Sequence, residues 1–161
     1  HFDTTIDLDI DAYLPETYVV SEEQRLDLYK RIALIDSEEG RDEMLDELID
    51  RFGEPSRSVQ NLLFIAMLRM EAHKAFVTDI VQRPEEIVFT LFERAAIDAS
   101  GIPAVIEKNK PYVTFTADAK HPAFHYFYKK NSRIKPKDLP DLVMTFVKEL
   151  QGLALNQKSE N

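Results

Sequence analysis

The apolar rhythm of this chain changes near Phe76, and that change restricts the fold more than any single residue does. After a short opening segment, apolar residues up to Phe76 recur at the three- and four-residue spacing of helices. Beyond it β-branched and aromatic blocks of strand length enter in pairs, with two further helical stretches among them. A chain that groups three helices ahead of paired strands in this way reads as α+β, not as alternating βαβ units.

The opening segment Ile6-Asp7-Leu8-Asp9-Ile10-Asp11 alternates strictly, as a half-buried strand does. Ser21-Glu22-Glu23-Gln24 is a capping box: the serine oxygen accepts from a free N–H of the first turn and Gln24 reaches back. It starts a helix over about 22–35, with Leu26, Tyr29, Ile32 and Ala33 facing inward. Asp36-Ser37-Glu38-Glu39 starts a second, whose stripe is Met44, Leu45, Leu48, Ile49 and Phe52. Gly53 stops it and Pro55 bars continuation. A third helix, about 56–75, is apolar almost all round and is expected at the centre.

Val77–Val81 and Ile87–Phe92 flank Arg83-Pro84-Glu85-Glu86 as a hairpin. A short helix near 99–108, strands at Tyr112–Thr116 and Phe124–Tyr128, and a helix from Lys137 or Asp138 through Leu150 complete the order. The expected fold is therefore α+β: an N-terminal three-helix subdomain with an edge strand, then a small, mostly antiparallel sheet with two helices. We take residues 1–161 as one domain, with a helical part over 1–75, an α+β part over 76–161 and a frayed tail over 154–161.

Charge is divided along the chain. Residues 1–54 carry 17 acidic and 5 basic side chains, whereas residues 55–161 carry 12 acidic and 15 basic. An acidic first third repels phosphates and favours a basic protein partner. With no cysteine there is neither a disulfide framework nor a thiolate metal site, which fits a reducing interior. No run approaches the ~18 apolar residues of a membrane span, so no membrane role is expected. The chain opens on His1 instead of Met, directly before a strand pattern, and so reads as a piece of a longer protein.

Catalytic signatures are missing. The four glycines, at 40, 53, 101 and 152, form no phosphate-cradling loop, and no serine elbow or cysteine nucleophile occurs. Neither a cofactor nor a metal is expected in this chain. His121 and His125 would still need third and fourth ligands to hold a metal, and read as hairpin residues. Asp7, Asp9 and Asp11 resemble a calcium loop, but its sixth position is Ala12 and its twelfth Tyr18, so they read as outer-face carboxylates.

Two surfaces remain. Glu43, Glu47, Asp50 and Glu54 fall at i, i+4, i+7 and i+11, opposite Leu48 and Phe52, and form the candidate partner-binding face. Like charges so placed cost a few tenths of a kcal/mol each, and a docking arginine would relieve that. The alternative is a nucleic-acid module: Phe124–Tyr128 interleaves aromatics with a base, and Lys129, Lys130, Arg133 and Lys135 follow. Aromatic alternation also suits a half-buried strand.

Tyr13-Leu14-Pro15-Glu16-x-Tyr18-Val19, Arg25-Leu26-x-x-Tyr29-Lys30-Arg31-Ile32, Glu47-Leu48-Ile49-Asp50-Arg51-Phe52-Gly53 and Leu62-Leu63, in that order and spacing, resemble the C-terminal domain of bacterial transcription-repair coupling factors. The likeness rests on motifs over residues 5–75 and on element pattern beyond 76. It implies a regulatory, autoinhibitory domain of a cytoplasmic, ATP- and Mg-dependent DNA translocase. That parent protein displaces stalled RNA polymerase from lesions on double-stranded DNA and recruits nucleotide excision repair. The ATP- and DNA-binding motor lies upstream of this domain, which is itself no enzyme. By the same resemblance, Glu47 and Asp50 dock on arginines of the N-terminal UvrA-binding module and mask it. Arg51 and Phe52 are left for internal packing.

Overall fold

The first strand, β1 (Thr5–Asp7), finds its partner more than seventy residues along the chain: Thr5 pairs with Asp79, Ile6 with Ile80 and Asp7 with Val81, in parallel register. The computed structural model describes residues 1–92, 97–118 and 120–154. Within them the chain forms two compact units, His1–Leu8 with Glu71 onward, and Asp9–Met70. The frayed tail expected at 154–161 lies outside the described residues from 155 on.

The Asp9–Met70 unit is helical. Helix α1 (Glu22–Ala33) starts where expected, with the Ser21 hydroxyl accepting from the Gln24 N–H at 3.2 Å. Helix α2 (Glu38–Phe52) is capped in the same way, Ser37 accepting from Gly40 at 3.0 Å. Gly53 ends it at φ +92°, where a residue with a Cβ is strained, and its N–H closes on the Ile49 carbonyl at 3.0 Å. Helix α3 (Arg57–Lys74) begins in this unit and ends in the other.

The unit's core gathers Leu14, Val19, Leu28, Ile32, Met44, Leu48, Val59, Leu63 and Ala66. Tyr18 and Tyr29 fasten the entry loop by their hydroxyls: Tyr29 accepts from the Leu14 N–H at 2.7 Å, and Tyr18 donates to the Gly53 carbonyl at 2.7 Å. The inward face of α1 departs from expectation. Leu28 and Ile32 are its buried residues, while Leu26 is 55% exposed and Ala33 also faces out. Tyr29 is half-buried. Leu26 and Leu28 both fit a stripe with Tyr29 and Ile32, and burying Leu28 turns the helix so that Arg25 reaches the Val19 carbonyl at 2.7 Å.

The other unit is a five-stranded sheet in the order β1-β2-β3-β5-β4. Strands β2 (Val77–Gln82) and β3 (Ile87–Leu91) form the expected hairpin, closed where the Arg83 N–H meets the Glu86 carbonyl at 2.7 Å. Strands β4 (Val113–Thr116) and β5 (Ala123–Tyr126) add antiparallel pairs, so β1 contributes the sheet's one parallel ladder, at an edge. Phe76, where the apolar rhythm changes, has φ +59°: helix passes to strand through a left-handed residue.

Helix α4 (Ile102–Lys108), entered through a short 3-10 turn, precedes β4, and helix α5 (Leu139–Gln151) closes the described chain. Cross-strand neighbours Phe89 and Phe124 are fully buried against Phe146 of α5, with ring centroids 4.8 and 5.8 Å from it. Offset aromatic contacts of this kind add ~0.5–1.5 kcal/mol each to their area burial. No helix among the described residues is long and apolar enough to cross a membrane.

Candidate functional site

Helix α2 buries Met44 and Leu48 and turns its carboxylates outward, so the acidic face follows from the apolar one. The structure treats its four predicted members differently. Glu43 and Asp50 are exposed and make no ion pair or side-chain hydrogen bond. Glu54 is exposed too, but it stands beyond the helix end, where the helical count stops holding. Its charge acts on Tyr18, whose hydroxyl pKa is raised by burial first and by Glu54 second.

Glu47 is already engaged. Arg31 of α1 grips both its oxygens, Nη1 to Oε2 at 2.8 Å and Nη2 to Oε1 in a shorter contact. Arg51, one turn on, adds a bond to Oε2 at 2.7 Å. A bidentate guanidinium bond is the strongest ordinary way to hold a carboxylate. These bonds bring the Glu47 carboxyl down to about 2, the Arg31 hydrogen bond being the largest cause and that of Arg51 the next. The same contact raises the Arg31 guanidinium. Arg51 also lies over the Phe52 ring, its Cζ 4.9 Å from the centroid, and Phe52 tilts against Tyr18 at 5.7 Å. Both residues thus serve the unit's own packing.

One residue that belongs to this face escaped the sequence reading. Asp46 is exposed and unpaired, three residues after Glu43 and four before Asp50, and the same spacing rule would have found it. Ile49, 37% exposed, adjoins Asp50 in the chain. The free part of the face is thus Glu43, Asp46 and Asp50, with an apolar neighbour.

The second predicted surface is taken apart by the sheet. Phe124 and Tyr128 are buried, and Tyr126 is half-buried against Phe146 at 5.3 Å. Strand β5 ends at Tyr126, two residues earlier than expected. Tyr128 then turns inward on a 3-10 turn, and its hydroxyl donates to the Arg83 carbonyl at 2.5 Å. Phe124 and Tyr128 are thus core residues with no face open to a base, while Phe127 is half-buried beneath Lys130. Lys129, Lys130, Arg133 and Lys135 are exposed.

His125 is held at both nitrogens, Nδ1 by Glu86 at 2.8 Å and Nε2 by the Thr116 hydroxyl at 2.9 Å. Among the described residues no group of three or more His, Asp or Glu side chains is placed to hold a metal ion.

Comparison with known proteins agrees with the architecture. Residues 8–102 match the TRCF domain, which is more than half of the chain. The transcription-repair-coupling factor of Bacillus subtilis (strain 168) is 36% identical over 100 residues, covering 62% of this chain and 8% of that protein. The transcription-repair-coupling factor of Mycobacterium tuberculosis (strain CDC 1551 / Oshkosh) is 36% identical over 78 residues, 48% of this chain and 6% of that protein. The matched part is thus a small fraction of these curated relatives. The crystal structure of the C-terminal domain of a transcription-repair coupling factor superposes with a TM-score of 0.76 at 24% identity, covering 92% of both chains. That superposition carries the fold, the match over residues 8–102 carries the ancestry, and together they make the chain a member of the TRCF domain family.

Proposed function

We propose that this domain is a regulatory interaction module that docks through the outer face of α2 on a basic surface of its own parent protein. The parent would be an ATP- and Mg-dependent translocase on double-stranded DNA in the bacterial cytoplasm. It would displace stalled RNA polymerase and recruit nucleotide excision repair through UvrA. The docking surface would be the N-terminal UvrA-binding module, masked in the resting protein and released on engagement with polymerase.

The observation that carries this reading is the unequal state of the carboxylates. Glu43, Asp46 and Asp50 are exposed and unpaired, while Glu47 beside them is held by two arginines. Free carboxylates that repel one another along a helix gain most from an incoming guanidinium. In this reading Asp50 meets the partner arginine first. Glu47 contributes by fixing α2 against α1, and through whatever lone pair Arg31 and Arg51 leave. Rim pairs add ~0.2–1 kcal/mol each, so the three free carboxylates supply at most ~3 kcal/mol as exposed pairs, and at least one must be desolvated to hold a closed state. Taking such an equilibrium from mostly closed to mostly open needs a differential of ~5.5 kcal/mol.

Reversing Asp46→Lys with Asp50→Lys in the full-length parent protein tests it without touching the Arg31 network. Raised UvrA affinity and raised ATPase activity are expected. Unchanged values for both would sink the reading. Glu47→Lys is the poorer probe, because it sets a cation against Arg31 inside the unit.

A further inference from the structure

The segment that leaves β5 carries the densest uncompensated charge in the described chain. Lys129, Lys130, Arg133, Lys135 and Lys137 fall within nine residues, all exposed, and none makes an ion pair. The one carboxylate in the turn, Asp138, has an oxygen committed to the backbone N–H of Lys135 at 3.0 Å. Repulsion among five cations costs stability, yet this segment is well anchored by means other than charge. The Tyr128 hydroxyl is tied to the Arg83 carbonyl, Leu139 is buried, and the Asn131 side chain accepts from the Arg133 N–H at 3.1 Å. Lys130 is steadied over the Phe127 ring, with Nζ 4.7 Å from its centroid. The turn borders an open hollow of ≈ 130 Å³ lined by Lys129, Asn131, Ser132 and Lys135 and, on its apolar side, by Ile134, Pro136 and Leu139.

From this we infer that the 129–137 turn is a phosphate-contact surface for the backbone of double-stranded DNA, with one phosphate seated in the hollow between Lys129 and Lys135. Three observations select that occupant. Five exposed cations without an ion pair in nine residues match a row of closely spaced phosphates, to which lysine binds as a point charge. The donors flanking the hollow include a hydroxyl and an amide, the neutral groups that commonly share phosphate oxygens with lysine. Of the aromatic rings a single-strand binder would use, Phe124 and Tyr128 are buried, Tyr126 packs on Phe146, and the half-buried Phe127 lies under Lys130, so they form no open stacking row. The contact is therefore independent of sequence and depends strongly on salt. It involves none of the α2 carboxylates and stands or falls apart from them.

Fluorescence anisotropy of the 161-residue chain with a labelled 20-bp duplex of arbitrary sequence tests it. With about four phosphates engaged, affinity falls on the order of 100-fold between 50 and 200 mM salt. Lys129→Ala with Lys135→Ala flattens the log–log salt slope by about 2. Both side chains are exposed, and circular dichroism checks that the fold is kept. No duplex binding at 50 mM salt, a salt slope the double variant leaves unchanged, or tighter binding to the matching single strand or to a poly-glutamate peptide would each overturn the assignment.

Discussion

Glu47 of α2 and Arg31 of α1, sixteen residues apart in the chain, meet through two parallel hydrogen bonds, so Glu47 is first an internal strut. Its side chain is 29% exposed and that of Arg31 40%, which puts the pair between a surface bridge and a buried one.

Glu47→Gln should therefore cost about 1–2 kcal/mol, above the ~0.2–1 of an exposed pair and below the ~3–5 of breaking a buried one. The folded-state pKa of Glu47 lies below its ordinary value, so its contribution is complete above about 4.5 and disappears as pH falls through about 2. Urea unfolding at a series of pH values should show wild type and variant well apart at pH 6 and converging towards pH 2. A gap that stays constant down to pH 2 would refute the assignment.

Leu28 and Leu26 test which face of α1 is inside. Leu28 is fully buried and Leu26 is 55% exposed. Leu28→Ala should lose about 2–5 kcal/mol, and Leu26→Ala no more than about 0.5 kcal/mol. Chemical denaturation of the two variants side by side decides it; similar losses would contradict the packing.

Gly53 ends α2 at φ +92°, and a Cβ there would meet nothing within 4 Å. The cost of Gly53→Ala is thus backbone strain alone, about 1–3 kcal/mol. With ψ at −175° the residue lies outside the left-handed helical well, so Gly53→Asn should give no rescue. Thermal unfolding that ranks Asn near Gly would count against this conformation.

Tyr18 reports on Glu54 from across the helix end. Burial and the Glu54 carboxylate both raise its hydroxyl pKa, burial more. An ultraviolet pH titration of Glu54→Gln should bring the Tyr18 transition down part of the way towards the ordinary value near 10, leaving the part due to burial. An unmoved transition would mean that the two groups do not sense each other.

Local physics made much of this domain legible. The serine caps at 21 and 37, the glycine stop at 53, the rhythm change at Phe76 and the 83–86 hairpin all appear where short-range chemistry places them. What escaped depends on how elements meet. Leu26 and Leu28 satisfy the same periodicity, and only the packing of α1 chooses between them. The spacing of Glu43, Glu47 and Asp50 was plain, yet nothing in it shows that Arg31 takes one of the three. Tyr128 continues the aromatic alternation of β5, but turns into the core because carbonyls of the 83–84 turn lie in reach of its hydroxyl.

The parallel ladder of β1 on β2 also bears on how the chain is assembled as it is made. Thr5 leaves the ribosome more than seventy residues before Asp79, the residue it pairs with, and the Asp9–Met70 unit is the stretch between them. If that unit forms first, fewer disordered residues remain in the loop that closes the sheet edge, and closing it costs less entropy. On this order β1 is seated only after the helical unit between it and β2 has formed. Pulse-labelled hydrogen exchange would then protect Leu48 before the Ile6–Ile80 pair, and the reverse order would refute it. A long-range ladder would thus wait on a local fold encoded between its two strands.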